Sequence, residues 1–331
     1  MTDQTKLPLL NQAIFNASDV FLNSYSAVSR SGIYLPRCFL RKDNIPICPL
    51  CLQDAAYIRQ QWHYSIYTAC TEHQCALIDT CPKCASNINY LESEQLGSCS
   101  CGFEFKNADT EKASDSHLKL SSVVTGRNWL ISPEPNTEPS ASICNGALLW
   151  DYLKDGSKLK IDHTVEFSGF NGVIEYFSNW PINFDNELEL MAEQAEQRLI
   201  KEFNKTAFNH IFGDILSVAK FPAVDASAPN FIFERVLAFL ILLVDDNPSR
   251  KTSNSADLLL TVSDVAIILS TSHEQVYRLY QEGYLTLQFR PKLNTKLSIK
   301  TAAFNLRQVL EFRESVKQSN QGSQRTYLPG W

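Results

Sequence analysis

Apolar residues recur at helical spacing through much of the carboxyl-terminal half of the chain. Leu148 to Leu153, Val173 to Trp180, Leu188 to Phe203 and Phe231 to Val244 predict amphipathic or buried helices, with Pro181, Pro222, Pro229 and Pro248 as stops. Further on, DLLLTVSDVAIILSTSHEQVYRLYQEGYL predicts two short helices. Thr261 and Asp264 have the spacing of a capping box before Val265, Ile268 and Leu269, and Ser272 and Gln275 repeat it before Val276, Leu279 and Tyr280. Gly283 supplies the stop. The period then changes. YLTLQFRPKLNTKLSIK alternates apolar and polar residues around an Asn-Thr turn, as a β-hairpin would, and FNLRQVLEFRESV predicts a final amphipathic helix. Two helices, a hairpin and a closing helix form a winged helix-turn-helix pattern. The amino-terminal half is less periodic. WHYSIY, which contains His63, reads as an aromatic strand-like run in which that imidazole is packed or hydrogen-bonded. The polar stretch from Asn107 to Ser122 and the proline-bearing one from Ser132 to Ser142 read as connecting loops.

Composition bounds this picture without changing it. The 331 residues are 44% hydrophobic, enough apolar material for roughly two or three domains. The start, MTDQTKLPLL, lacks the features of a signal peptide, and the longest apolar run, Val236 to Val244, is far shorter than the ~20 residues of a membrane span. A cytoplasmic protein without a membrane anchor is expected. In that reducing compartment clustered cysteines are metal ligands or redox centres rather than disulfides.

The cysteines carry the sharpest signal. Eight of the ten fall between Cys48 and Cys101. Cys48-Pro-Leu-Cys51 is followed by Cys70-Thr-Glu-His73, which together make one set of four ligands. Cys81-Pro-Lys-Cys84 and Cys99-Ser-Cys101 make a second, and Gly102 allows the tight backbone after it. Zinc accepts thiolate and imidazole at such spacings, and four protein ligands leave no open position for a reactive water, so two structural zinc ions per chain are expected. A CxxC redox site would need a βαβ context, which is absent. Cys38, Cys75 and Cys144 fall outside both sets as small buried residues, with Cys75 the one rival ligand because it lies two residues after His73.

The same residues argue against an enzyme. The chain has no HExxH, no HxE with a later PCxxC, no phosphate-binding glycine loop and no defensible Ser/His/Asp set. Charge also weighs against a general affinity for nucleic acid. The formal net charge is −6; seven thiolates and two Zn²⁺ take it to −6 − 7 + 4 = −9. The distribution is uneven: Thr271 to Lys317 holds eight Lys or Arg against four acids, whereas Asp185 to Glu196 holds five acids and no base. If the carboxyl-terminal module reads DNA, Glu274, Gln275, Arg278 and Gln281 face base edges while Arg290, Lys292, Lys296 and Lys300 meet phosphates. If it docks a protein, those same residues form the docking surface. Glu274 and Glu282 on the second helix oppose close approach to phosphate.

The expected fold is therefore mainly α with small zinc-ribbon-like β elements: two tandem zinc-binding knuckle modules, then a helical region ending in the winged helix-turn-helix. In order these are a reduced helical lead-in segment, 1–45; the tandem zinc region, 46–106; a linker with short elements, 107–143; a helical middle domain, 144–250; and the terminal module, 251–331.

This order of motifs resembles the TniQ family of transposon target-selection proteins, which includes TnsD. LPRCFLRKDNIPICPLC (Leu35 to Cys51), GRNWL (Gly126 to Leu130), YFSNWP (Tyr176 to Pro181) and Trp331 carry a likeness closest to TniQ of transposons with a type I-F CRISPR Cascade. The resemblance implies a non-enzymatic adaptor, acting as a homodimer on a Cascade complex of protein subunits and guide RNA and helping to recruit the AAA+ ATPase TnsC. Target DNA is then met mainly through Cascade. It also implies zinc ligands at Cys48, Cys51, Cys70, His73, Cys81, Cys84, Cys99 and Cys101, the sets that spacing gives. One departure is that the family's amino-terminal helical domain, which contributes to dimer or partner contacts in relatives, is expected to be missing or much reduced. The alternative is a TnsD-like selector that reads an attachment site through the winged helix.

Overall fold

The computed structural model describes residues 14–16, 27–30, 33–90, 95–125, 146–147, 149–150, 152–153, 171–198, 202–220, 230–289 and 297–322. The chain is mainly helical with small antiparallel sheets, and divides into two compact units. The first comprises residues 1–154, 160–179 and 222–229; the second comprises 155–159, 180–221 and 230–331. Arg290, Lys292, Lys296, Cys144, GRNWL and Trp331 lie outside the described residues.

In the first unit, the lead-in segment, expected to be helical, instead forms a three-stranded antiparallel sheet over its first described residues: β1 (Phe15–Asn16), β2 (Ala27–Arg30) and β3 (Ile33–Pro36). Val28 pairs with Leu35, both buried, so one register places two apolar side chains in the core. Phe39, Ile45, Ile47, Trp62, Tyr64 and Tyr67 are almost wholly buried around the cysteine region. The short helix α1 (Pro49–Asp54) begins inside the first CxxC motif, with proline where its missing N–H costs nothing.

Two local expectations fail in this unit. Gln60–His63 is a 3₁₀ turn rather than a strand, because Tyr64, Ile66 and Tyr67 are buried by the fold rather than by sheet alternation. His63 is hydrogen-bonded as expected, with Nε2 2.8 Å from the Tyr90 hydroxyl. The stretch from Asn107 to Ser122, read as a connecting loop, contains most of helix α2 (Asp115–Val124). Ser114 caps it by accepting from the His117 N–H, and Leu120, Val123 and Val124 are buried. Ser121 adds a tertiary tie: its buried hydroxyl accepts from the backbone N–H groups of Thr68 and Ala69, both at 3.0 Å. Helix α3 (Asn171–Ser178) follows, and Gly172 leaves room for the Trp150 ring, which an added Cβ would approach to 2.5 Å.

In the second unit, α4 (Ile182–Arg198) starts directly after Pro181 and ends before Phe203, which lies in a 3₁₀ turn. Phe184 and Leu188 give it a buried stripe, and Asp185 on its first turn accepts a forked ion pair from Arg235. Arg235 lies on α7 (Phe231–Asp246), reached after the short helices α5 (Asn209–Phe212) and α6 (Ile215–Lys220). The Asn230 side chain caps α7 and also donates to the Ala219 carbonyl at 2.7 Å. At its other end Arg307 donates to the Asn247 carbonyl at 2.6 Å, placing a cation where the helix dipole favours one.

Strand β4 (Leu259–Thr261) leads into α8 (Val262–Ile268), and α9 (His273–Gln281) follows. The Thr261–Asp264 capping box is complete in both directions, and Ser272 accepts from the Gln275 N–H. Gly283 has φ +82° at the expected stop. The alternating segment before residue 290 makes a single antiparallel bridge, Leu287 to Phe304. Strand β5 (Ala302–Asn305) pairs instead with β4, Leu260 opposite Phe304, and leads into α10 (Leu306–Gly322).

The turn between α8 and α9 contains Ser270 at φ +51°, a left-handed conformation that L-residues adopt at a cost of about 1–2 kcal/mol. Glycine avoids that cost but loses about 0.5–1 kcal/mol of extra freedom on folding. Ser270 is exposed, so no side-chain packing opposes the change. Ser270→Gly is expected to stabilise the protein by roughly 0.5–1 kcal/mol, read as a higher urea midpoint at constant slope. A lower midpoint would show that the serine relieves the turn in some other way.

Candidate metal centres

Each cysteine set is built from tight turns of one design. In the first, Cys48 caps α1 with its own sulfur, which accepts from the Cys51 N–H at 3.4 Å. The Cys70 sulfur likewise accepts from the His73 N–H at 3.4 Å. The residue after each later ligand pair turns the backbone left-handed: Gln74 at φ 54° after His73, Ala85 at 57° after Cys84, and Gly102 at 81° after Cys101. The returning N–H closes each turn at 2.8 Å, Gln74 to the Cys70 carbonyl, Ala85 to that of Cys81 and Gly102 to that of Cys99. Spacing had suggested a glycine only at the third turn. The ligand set itself holds the other two in a conformation their side chains disfavour.

The turns bring all eight residues into two groups. Within Cys48, Cys51, Cys70 and His73, and within Cys81, Cys84, Cys99 and Cys101, the ligand atoms all lie within 4.8 Å of one another. In the first group Cys51 Sγ is 3.5 Å from Cys70 Sγ, and His73 Nδ1 is 3.3, 3.5 and 3.7 Å from the sulfurs of Cys51, Cys70 and Cys48. In the second, Cys84 and Cys99 sulfurs are 3.5 Å apart and those of Cys81 and Cys101 3.7 Å. Tetrahedral Zn–S bonds of about 2.3 Å place sulfurs about 3.8 Å apart, so both groups fit the ion. Either could hold a metal, and thiolate with imidazole is the donor chemistry that suits zinc.

The electrostatics of the first group point the same way. Hydrogen bonds from Cys51 and Cys70 push the Cys48 thiol down to about 2, and the hydrogen bond to Cys48 pushes Cys51 up. Without a cation, only part of such a cluster can ionise; a divalent ion compensates the charge and lets all three thiols do so. Cys75 lies outside the group. Its sulfur is 3.5 Å from that of Cys48, and burial pushes its thiol up to about 12. Cys38 is half-buried.

Asp54, which spacing did not single out, completes the first centre. Its carboxylate is 3.1 Å from His73 Nε2, in place to accept that N–H while Nδ1 faces the sulfurs. Such outer carboxylates fix the ligating tautomer, and their loss typically weakens metal binding about 10–100-fold. Asp54 is 60% exposed on its side chain, so the lower end applies. Asp54→Ala is expected to weaken retention at this centre about tenfold in a competitive chelator titration. Unchanged affinity would show that the imidazole is oriented without it.

The candidate partner-binding residues that the structure describes lie on α9 and just before β5. Gln275 and Arg278 both lie on α9, and the Arg278 guanidinium is 3.4 Å from Gln275 Oε1 and 3.8 Å from the Glu282 carboxylate. Glu274, Gln281 and Lys300 are exposed.

The family model described as TniQ matches residues 15–77. That span takes in β1 to β3, α1 and all four ligands of the first centre, and it ends before Cys81. A comparison with curated proteins finds no match.

Proposed function

We propose that this chain is a TniQ-type adaptor in DNA transposition that binds two structural zinc ions and has no catalytic activity of its own. The observation that carries this is the TniQ match over residues 15–77, coincident with a closed Cys₃His centre. Four protein ligands leave no metal-bound water to activate, which favours a scaffold. The finer proposal is that a homodimer docks on a type I-F Cascade with its guide RNA and helps recruit TnsC, so that target DNA is met mainly through Cascade. The zinc ions would hold the knuckles as rigid presenting surfaces, in a protein that works in the cytoplasm. Among the described residues no helix is long and apolar enough to cross a membrane.

A second reading, a TnsD-like selector that reads DNA directly, is favoured by one feature. Helices α8 and α9 are joined by the tight turn at Ser270, as in a helix-turn-helix whose second helix enters the major groove. Three observations favour docking instead. Arg278 is engaged by Gln275 and Glu282 on its own helix, Glu274 is exposed beside it, and the net charge is negative.

The test uses the wing. Arg290, Lys292, Lys296 and Lys300 are all changed to Gln, and DNA binding is followed across a salt series. A reader should lose about one unit of salt slope for each phosphate contact removed. The adaptor reading predicts weak, unspecific DNA binding in both forms, with Cascade or TnsC recruitment reduced in the variant. Nanomolar binding of the unmodified protein to one duplex, lost in the variant, would establish the second reading.

A further inference from the structure

The two centres differ in how much sulfur they show to solvent. Cys48 and Cys51 are 0% exposed and Cys70 1%, and the buried Cys75 thiol lies against the Cys48 sulfur. In the second centre Cys81 is buried, but Cys99 and Cys101 are partly open and Cys84 is exposed. The second is also the all-sulfur set, carrying −2 with Zn²⁺ where the first carries −1, and thiolate is the nucleophilic form of cysteine. Cys84 and Cys99, 3.5 Å apart, share a polar neighbour in the Ser86 hydroxyl, 3.1 Å from one sulfur and 3.4 Å from the other.

We propose that the second centre is an oxidation site for hydrogen peroxide, with Cys84 the reacting thiolate and Cys99 the resolving one, while the first centre keeps its metal. This rests on the reading of both sets as zinc centres. In the first step the Cys84 sulfur attacks one peroxide oxygen; an S–O bond forms, the O–O bond breaks, and the departing hydroxide takes a proton from solvent. In the second, the Cys99 thiolate attacks the Cys84 sulfur and displaces hydroxide, which is protonated in turn. The two sulfurs together lose two electrons, the peroxide gains them, and two water molecules leave. The sulfurs, 3.5 Å apart, must close by about 1.5 Å to reach a disulfide bond of about 2.05 Å. Cys81 and Cys101 alone are two ligands of four, and the metal is released. Exposure decides between the centres, since the sulfurs of the first offer a peroxide no approach.

The experiment uses the full zinc-loaded chain. Zinc is counted by elemental analysis, hydrogen peroxide is added in steps, released metal is followed with a chromogenic chelator, and disulfides are mapped by non-reducing peptide mass spectrometry. The expected result is release of one of two zinc ions, a Cys84–Cys99 disulfide, and recovery of binding after a dithiol reductant and added zinc. Release of both ions at one rate, release without that disulfide, or no release while a free thiol in the same tube is oxidised would overturn the proposal. A starting content below two zinc ions would instead count against the metal assignment, which keeps the two failures apart.

Discussion

Stripping the metals is expected to unfold the segment from Cys48 to Cys101. Among its described residues few belong to regular secondary structure, namely α1 and the 3₁₀ turn at Gln60–His63, so its backbone order rests on the knuckle turns and the ligands that close them. Structural zinc contributes about 10–16 kcal/mol of apparent free energy per site, at or above the ~5–15 kcal/mol net stability of an ordinary domain. The two turns held left-handed without glycine, at Gln74 and Ala85, lose their support at the same moment. The check is elemental analysis with limited proteolysis of full-length protein before and after chelation. Two zinc ions and protection from proteases should be lost together. Single substitutions sharpen the result: Cys70→Ser should lose one ion, while Cys75→Ser should keep both, because Cys75 lies outside the group of four. A folded, protease-resistant protein with no metal would contradict the assignment.

A comparable loss is expected in the second unit from Phe304→Ala. Phe304 is fully buried on β5, pairs with Leu260, bridges to Leu287 and meets Tyr280 edge-on at 6.5 Å between ring centres. Truncation of a buried phenylalanine costs about 3–5 kcal/mol, as lost apolar burial plus the cavity left behind. Here the cavity would open where β4, β5 and the segment leading from α9 meet. The docking surface proposed on α9 and the segment after it should then fail with the fold, and partner recruitment should fall without any change to a surface residue. Urea unfolding of the variant measures the cost; a loss under 1 kcal/mol would show that the strand pair does not organise this unit.

These two sites were legible in the sequence to different degrees. The two clusters of four could be read from spacing because four donors must converge on one ion, and the chain reaches that geometry through short turns at fixed offsets. Thr261, Asp264, Ser272 and Gly283 were legible for a similar reason, since each acts on backbone groups within a few residues. Long-range pairing was not. The three residues of β4 find β5 about forty residues away, and neither strand is long enough to show alternation. Helix α2 was hidden by its polar composition; its helical state depends on burying Leu120, Val123 and Val124 and on the Ser121 contacts to Thr68 and Ala69. Asp54 was invisible because a carboxylate three residues after a cysteine carries no signature until the fold places it beside His73. The aromatic run at His63 misled because burial on all sides removes the alternation that would tell a strand from a turn.

As proposed above, this chain is an adaptor that meets its target through another complex. The most direct measurement is size-exclusion chromatography of the zinc-loaded protein with purified type I-F Cascade and guide RNA, beside the protein with target duplex alone. The adaptor account predicts co-elution with Cascade at two copies per complex and no stable complex with the duplex. Elution apart from Cascade, together with a stable complex on one particular duplex, would contradict it.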